Sequence, residues 1–154
     1  MNGITIIKRE LTSEEIEYVN SGFDDLYSEE GIELESKERI SLVALNGDRL
    51  IGCAIGSAHK NGENYSGWFH LTDLYVEKEF RNEGLGTDLL KELEESNRTA
   101  GIQHIWLWTS GQSTLRFYKR HGYIEFAEME NWYSDGSSRI GLRKTIRKQE
   151  NGNK

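Results

Sequence analysis

A glycine-rich segment in the middle of the chain has the residue types that bind anions. It reads Arg81-Asn82-Glu83-Gly84-Leu85-Gly86-Thr87 and follows the apolar run Leu74-Tyr75-Val76. Two glycines at the start of a helix let consecutive backbone N–H groups approach a ligand, and the helix dipole favours negative charge there. The guanidinium of Arg81 adds donors suited to phosphate oxygens. The segment therefore predicts a phosphate site between a strand and a helix.

Two other phosphate-binding loops do not fit this segment. A dinucleotide-binding loop needs a third small residue after Gly84 and Gly86, and Leu89 stands in that place. A nucleoside-triphosphate loop needs Gly-Lys followed by Ser or Thr, and the sequence has none. The strand before Arg81 and the amphipathic helix after Gly86 make the pattern more specific than a pair of glycines alone.

The periodicity of apolar residues around this segment predicts alternating strands and helices. Asn46-Gly47-Asp48 between two β-rich runs predicts a hairpin, and Gly101 is placed to end the helix that follows Gly86. An antiparallel run followed by one β-α-β unit predicts an α+β fold with a central mixed, mostly antiparallel sheet flanked by helices. The predicted strands are 4–8, 40–45, 49–58, 68–76, 102–109, 123–129 and 138–146; the predicted helices are 13–28, 33–39, 85–100 and 114–120. A single domain over 1–147 and a disordered tail over 148–154 are expected.

Composition narrows the class of protein. The chain has 154 residues, 36% of them apolar, which is enough to form one hydrophobic core. Its net charge of −7 makes nucleic acid a poor candidate partner. Cys53 is the only cysteine, which leaves no internal disulfide and no thiolate metal cluster, and no metal site is predicted. No run approaches the ~20 apolar residues of a membrane helix, and no signal peptide is recognised. A cytoplasmic protein without a membrane partner is expected.

Two motifs in register resemble the GNAT superfamily of N-acetyltransferases. Arg81-x-x-Gly84-x-Gly86 is similar to the family's Arg/Gln-x-x-Gly-x-Gly/Ala motif, with the preceding strand in place. The stretch from Thr114 to Tyr123, which contains Phe117, Tyr118 and Gly122, is similar to its Ala-x-x-Phe-Tyr-x-x-x-Gly-Phe/Tyr segment. The resemblance covers roughly residues 4–146. Many members have Asn where this chain has Gly111, which leaves its neighbours Gln112 and Ser113 to replace that contact.

The resemblance implies acetyl-coenzyme A as co-substrate and assigns residues to it. In the family the strand before the glycine loop pairs with the pantetheine arm, and the loop holds the pyrophosphate. The cofactor-binding residues expected here are Leu74, Tyr75, Val76, Arg81, Asn82, Glu83, Gly84, Leu85, Gly86, Thr87, Gln112 and Ser113.

Transfer of an acetyl group to an amine also needs an acid and a means of deprotonation. Tyr118 stands at the family's acid position and would protonate the leaving thiolate. Strict alternation along 68–76 places His70, Thr72, Leu74 and Val76 on one face. Several members of the family carry a catalytic Glu at the position of Thr72, and some carry a His or Glu at that of His70. Because Thr72 cannot act as a base, the resemblance makes His70 the first candidate. Asp73 is the fallback if a bulge turns it inward, and deprotonation through water stays open.

The acceptor is predicted to be a primary amine of a small cationic molecule. Residues 10–38 carry eleven acidic side chains against one basic residue, Lys37, and negative charge lining a cleft concentrates cations. A solvated helix face is the other explanation of these acids. The alternatives to a small amine are a protein or peptide acceptor on the same fold and a non-catalytic acyl-CoA-binding module. Whether the chain forms a homodimer is left open. The acidic residues are Glu10, Glu14, Glu15, Glu17, Asp24, Asp25, Glu29, Glu30, Glu33, Glu35 and Glu38.

Overall fold

The computed structural model describes residues 3–147, which form two compact units divided between Leu34 and Glu35. The first unit contains one helix, α1 (Ser13–Glu30). Thr12 begins it with a capping box: the Glu15 amide donates to the Thr12 hydroxyl over 3.2 Å, and the Thr12 amide donates to the Glu15 carboxylate over 2.8 Å. The predicted helix start is confirmed.

The predicted strand over 4–8 is wrong, since the described residues before α1 form no strand. Alternating isoleucines give this segment the side-chain pattern of a strand, but a strand also needs a partner for its backbone hydrogen bonds. The sheet of the second unit is built without it.

The second unit is built on one six-stranded sheet in the order β1-β2-β3-β4-β6-β5. Neighbouring strands are antiparallel except β3 and β4, which are parallel and joined by α2. The α+β class and the mixed, mostly antiparallel sheet are thereby confirmed. The elements are β1 (Glu35–Asn46), β2 (Arg49–Asn61), β3 (Asn64–Val76), a single 3-10 turn (Lys78–Phe80), α2 (Leu85–Thr99), β4 (His104–Thr109), α3 (Gln112–Arg120), β5 (Ile124–Met129) and β6 (Arg139–Thr145).

The predicted helix over 33–39 is also wrong, because β1 begins at Glu35. The charged residues there favour a helix locally, but β2 continues to Asn61 and offers a full antiparallel partner. Pairing runs from Glu35 opposite Asn61 to Asn46 opposite Arg49, so the ladder overrides the weak local preference. The hairpin predicted at Asn46-Gly47-Asp48 is confirmed, with Gly47 at φ 63°.

Helices α2 and α3 pack on one face of this sheet. Leu90 and Leu93 of α2 are fully buried against Phe69 of β3 and Leu142 of β6, and Tyr118 of α3 joins the same core. Alternation along β4 sends its other side chains to the opposite face. No helix within residues 3–147 is long and apolar enough to cross a membrane. The predicted tail over 148–154 lies outside the described residues.

Candidate active site

Strands β3 and β4 separate after a short stretch of pairing. Their ladder contains Trp68 opposite His104, Phe69 opposite Ile105 and His70 opposite Trp106, and no further pair. Beyond His70 the β4-facing backbone groups of β3 have no partner in β4, and such groups need a partner from a ligand or water. The sheet therefore has a gap lined by free backbone donors and acceptors.

The loop after β3 brings the N-terminus of α2 to this gap. Gly84 precedes α2 with φ 87°, a left-handed conformation that favours glycine, and no side chain caps the helix. The first N–H groups of α2 are therefore available to an anion. The Arg81 Nε donates to the Val76 carbonyl over 2.9 Å, which anchors the guanidinium at the end of β3, and within residues 3–147 its other two nitrogens form no hydrogen bond.

Two adjoining cavities surround the N-terminus of α2. The first, of about 300 Å³, lies between β3 and α3, and the second, of about 390 Å³, lies over the glycine loop. The first is lined by Leu74, Tyr75, Val76, Arg81, Gly86, Ser113, Thr114, Phe117 and Tyr118. The second is lined by Val76, Phe80, Arg81, Asn82, Gly84, Leu85, Gly86, Thr87, Phe117 and Arg120.

Most of the residues predicted to bind the cofactor line one or both of the cavities. Glu83 and Gln112 line neither of them, while Ser113 lines the first. Arg120 was missed by the sequence interpretation and gives the second cavity another guanidinium beside that of Arg81. Its spacing of three residues from Phe117 on a helix would have placed both side chains on the same face.

Tyr118 is the titratable group of the first cavity that is most deeply buried. Only 5% of its surface is exposed, and its ring meets that of Phe117 edge-on at 5.2 Å. Within residues 3–147 no protein group forms a hydrogen bond with its hydroxyl. Burial raises the pKa of Tyr118 well above that of a free phenol, so the hydroxyl keeps its proton at neutral pH. It can therefore act as a proton donor toward a group in the cavity.

His70 lies on the other face of the sheet, away from Tyr118. Its ring stacks on Trp106 at 3.8 Å with an interplanar angle of 9°, while its neighbours Phe69 and Leu71 are buried in the core. Desolvation lowers the pKa of His70, and electrostatic repulsion from His59, Lys37 and Arg139 lowers it further. The imidazole is thus neutral at neutral pH.

A bulge at Thr72 makes the predicted alternation along β3 wrong. Asp73 pairs with Ile55 and Leu71 pairs with Gly56, so Thr72 is the extra residue. Its hydroxyl oxygen lies 3.0 Å from the Ile55 carbonyl oxygen. Because of the bulge, Leu74 and Val76 pack on the core face with Phe69 and Leu71, whereas the sequence placed them on the face of His70.

Asp73 follows this bulge as an exposed residue. Its carboxylate accepts a hydrogen bond of 2.8 Å from the Thr72 hydroxyl, and it lines neither of the two cavities. Alternation with the core-facing Leu74 directs Asp73 to the face that carries His70. The two candidate bases thus share a face across the sheet from Tyr118.

Comparison with known proteins identifies the family. The family model of the acetyltransferase (GNAT) domain matches residues 37–125, more than half of the chain, and that stretch runs from β1 through the glycine loop and α3 into β5. The chain belongs to the GNAT family of acetyltransferases, enzymes that use acetyl-CoA as co-substrate.

Individual relatives agree with this assignment. N-alpha-acetyltransferase 30 of Schizosaccharomyces pombe is 30% identical over 101 residues, which is 63% of this chain and 65% of the relative. Thialysine N-epsilon-acetyltransferase of Caenorhabditis elegans is 31% identical over 78 residues, 46% of this chain and 48% of the relative. The chain thus matches less than two thirds of the length of either protein. The crystal structure of an acetyltransferase from Bacillus cereus ATCC 14579 superposes with a TM-score of 0.72 at 25% identity, covering 92% of this chain and 98% of that one.

Proposed function

We propose that the chain transfers the acetyl group of acetyl-CoA to a primary amine, with Tyr118 as the general acid. The observation that carries the proposal is the meeting of three features at one gap in the sheet. These are the unpaired edge of β3, the uncapped N-terminus of α2 and the buried Tyr118 hydroxyl. A thioester supplies an activated acyl group. The first two features would bind the pyrophosphate and the amide-bearing arm of its carrier, and the third would protonate the departing sulfur.

The proposed contacts to the co-substrate divide between the two cavities. The N–H groups that begin α2, together with Arg81 and Arg120, form the cationic part and would hold the pyrophosphate. Apart from the Val76 carbonyl, which accepts from Arg81, the gap-facing backbone of β3 from Leu74 to Val76 would pair with an extended amide-bearing arm, as a neighbouring strand does. A backbone N–H near Val76 would bind the carbonyl oxygen as negative charge develops on it.

Tyr118 would give its phenolic proton to the departing sulfur. Proton transfer from a phenol with a pKa of ~10 to a thiolate with a pKa of ~8.5 is mildly uphill in water. Burial raises the pKa of the phenol, and it raises that of a thiol in the same cavity for the same reason, so the difference between them need not grow. The contribution of Tyr118 would therefore come from its fixed position beside the sulfur.

Deprotonation of the amine has three candidate routes on the opposite face. His70 is neutral at neutral pH and can accept a proton, but its ring is held flat on Trp106. Asp73 is exposed and ionisable, and a water chain is the third route. We propose His70 as the first candidate, with Asp73 and water as its alternatives.

The acceptor is proposed to be a small amine that is cationic in solution. Support comes from the net charge of −7 and from the eleven acids of residues 10–38, which attract cations through their field. The similarity to an acetyltransferase of thialysine is consistent with a small amine. A polypeptide N-terminus is the second candidate, because the match to N-alpha-acetyltransferase 30 is the longer of the two. A cytoplasmic location stays a prediction, and a homodimer stays an open alternative.

Release of free thiol from acetyl-CoA in the presence of an amine panel tests the proposal. The panel compares a polyamine, an amino sugar, a neutral aryl amine and short peptides with free N-termini. We expect turnover with a small cationic amine, and kcat/KM should fall as salt is raised because screening shortens the Debye length to ~8 Å at physiological ionic strength. Turnover of the peptides alone would favour the second candidate. Binding of acetyl-CoA without turnover of any amine would favour a non-catalytic acyl-CoA-binding module.

A further inference from the structure

The sheet face opposite α2 and α3 carries a groove walled by aromatic rings. Because β4 alternates, Ile105 and Leu107 enter the core while Trp106 and Trp108 project to the other side. The space above them measures about 340 Å³. We call it the aromatic groove; it is lined by Trp68, Trp106, Trp108, Phe126 and Arg143.

Gly141 of β6 lies against two rings of this groove. A Cβ atom added there would lie 2.9 Å from the Phe126 Cζ and 3.1 Å from the Trp108 Cζ3, so a side chain would displace both rings. Trp106 meets Trp108 edge-on at 6.2 Å and Phe126 at 6.5 Å. The rings thus form a shaped apolar surface that fits a planar group, by stacking or edge-to-face contact.

Two guanidinium groups border this apolar surface. Arg143 lies 4.7 Å above the Trp68 ring, and Arg139 lies 4.9 Å from the Trp108 ring and 5.1 Å from the Trp132 ring. Among the described residues neither arginine forms an ion pair with a carboxylate. Each guanidinium has five N–H donors arranged to bind an anionic oxygen pair. The positive charge of Arg139 also reaches His70, whose pKa it helps to lower.

The aromatic groove spans the point where β3 and β4 separate, from Trp68 within their paired stretch to Trp108 beyond it. His70 opposite Trp106 is the last pair of their ladder, and the gap that exposes the β3 edge opens directly after it. A molecule lying in the groove would therefore reach the gap from the face opposite Tyr118. The cavities on the other face are assigned to acetyl-CoA, so an acceptor amine would approach the acyl group from the side of the groove.

We propose that the aromatic groove binds the non-reacting part of the acceptor, and that this part is a planar aromatic group bearing an anionic oxygen substituent. The inference rests on the proposed function and specifies its substrate. Such an acceptor is a zwitterion and not a net cation: the positive charge of the preceding section is its reacting ammonium, and the opposite end of the molecule carries the negative charge. Stacking on one of the perpendicular Trp106 and Trp108 rings, with edge-to-face contact to the other, would hold the ring. Arg139 and Arg143 would bind the carboxylate or phosphate.

Intrinsic fluorescence offers a direct binding assay that needs no turnover. All four tryptophans of the chain either line the groove or, in the case of Trp132, lie beside Arg139. We would titrate the protein with 4-(aminomethyl)benzoate, 4-(aminomethyl)phenyl phosphate and benzylamine, and follow quenching. At least one anionic probe should bind about ten-fold more tightly than benzylamine, as expected for hydrogen bonds between charged groups. The tighter of the two anionic probes identifies the oxygen group.

Substitution of the arginines gives the matched comparison. Arg143→Gln and Arg139→Gln should each remove most of the advantage of the anionic probe, whereas Arg147→Gln, an exposed arginine in a different cavity, should leave it intact. Equal binding of the three probes, or an advantage that survives both groove variants, would overturn the inference. Acetyl-CoA binding and turnover of other amines would be unaffected by that failure, so the proposed function is judged separately.

Discussion

Replacing Tyr118 by phenylalanine removes the proposed acid and little else. The side chain is 5% exposed and no group within residues 3–147 bonds its hydroxyl, so the change leaves no described partner unpaired. We expect the free energy of unfolding to change by less than about 1 kcal/mol. Loss of one positioned acid should lower kcat by about 10²-fold, which corresponds to about 2.7 kcal/mol of transition-state stabilisation. The affinity for acetyl-CoA should stay the same.

Tyr123 provides a matched control for this substitution. It is 2% exposed, its ring centroid lies 5.4 Å from that of Tyr118, and its hydroxyl is also without a partner among the described residues. Burial raises the pKa of both tyrosines, but only Tyr118 lines the cavity beside β3. Tyr123→Phe should therefore keep the wild-type kcat.

Thiol release at saturating acetyl-CoA measures both variants, and isothermal titration gives the affinity for the co-substrate. Because burial raises the pKa of Tyr118, its protonated form persists to high pH, and kcat should show no alkaline fall below about pH 10 from this group. A Tyr118→Phe variant with wild-type kcat, or equal losses in Tyr118→Phe and Tyr123→Phe, would refute the acid role.

Two further predictions concern stability and titration. The Glu94 side chain is 6% exposed, so Lys144→Met leaves its carboxylate buried without a partner. The free energy of unfolding should fall by about 3 kcal/mol, and Tm should fall by about 6–12 °C. Lys119→Met, which breaks an exposed pair with Glu125, should change stability by about 0.5 kcal/mol or less, and equal Tm shifts would contradict this account. His70 should titrate below pH 6.5 by NMR, because burial lowers its pKa. The unfolded chain then binds the proton more readily than the folded chain does, so the free energy of unfolding should decrease as pH falls from 6.5 through the lowered pKa. His70→Gln should remove this part of the pH dependence. A pKa of His70 at the ordinary value would refute the prediction.

Local signals in the sequence were sufficient to predict most of the elements around the two cavities at the N-terminus of α2. Two glycines after an apolar strand, and leucines at helical spacing after them, predicted the loop and α2 because each signal lies within a few residues. The hairpin at Gly47 was predictable for the same reason.

Features that depend on pairing could not be predicted in this way. The bulge at Thr72 shifts the register by one residue, and the residue types of β3 do not predict it. His70 was therefore assigned to the same face as Leu74 and Val76, which is wrong. The strand from Glu35 required knowledge that β2 continues far enough to pair with it. The aromatic groove was missed because its walls come from four strands, although the alternation of Trp106 and Trp108 indicated that both share a face.

Binding of acetyl-CoA to wild-type protein and to two variants of Gly86 tests the central claim most directly. A Cβ at this position would lie 3.7 Å from Phe117 and Val76 atoms, which is ordinary contact, so Gly86→Ala should fold and bind. Gly86→Val would extend into the cavities over the loop and should abolish binding. For a Kd of about 10 µM, 1 mM acetyl-CoA stabilises the wild type by about 2.7 kcal/mol, which raises Tm by about 5–10 °C. We predict that shift in wild type and Gly86→Ala and none in Gly86→Val. An unchanged wild-type Tm at 1 mM acetyl-CoA, with no heat of binding by calorimetry, would contradict the account.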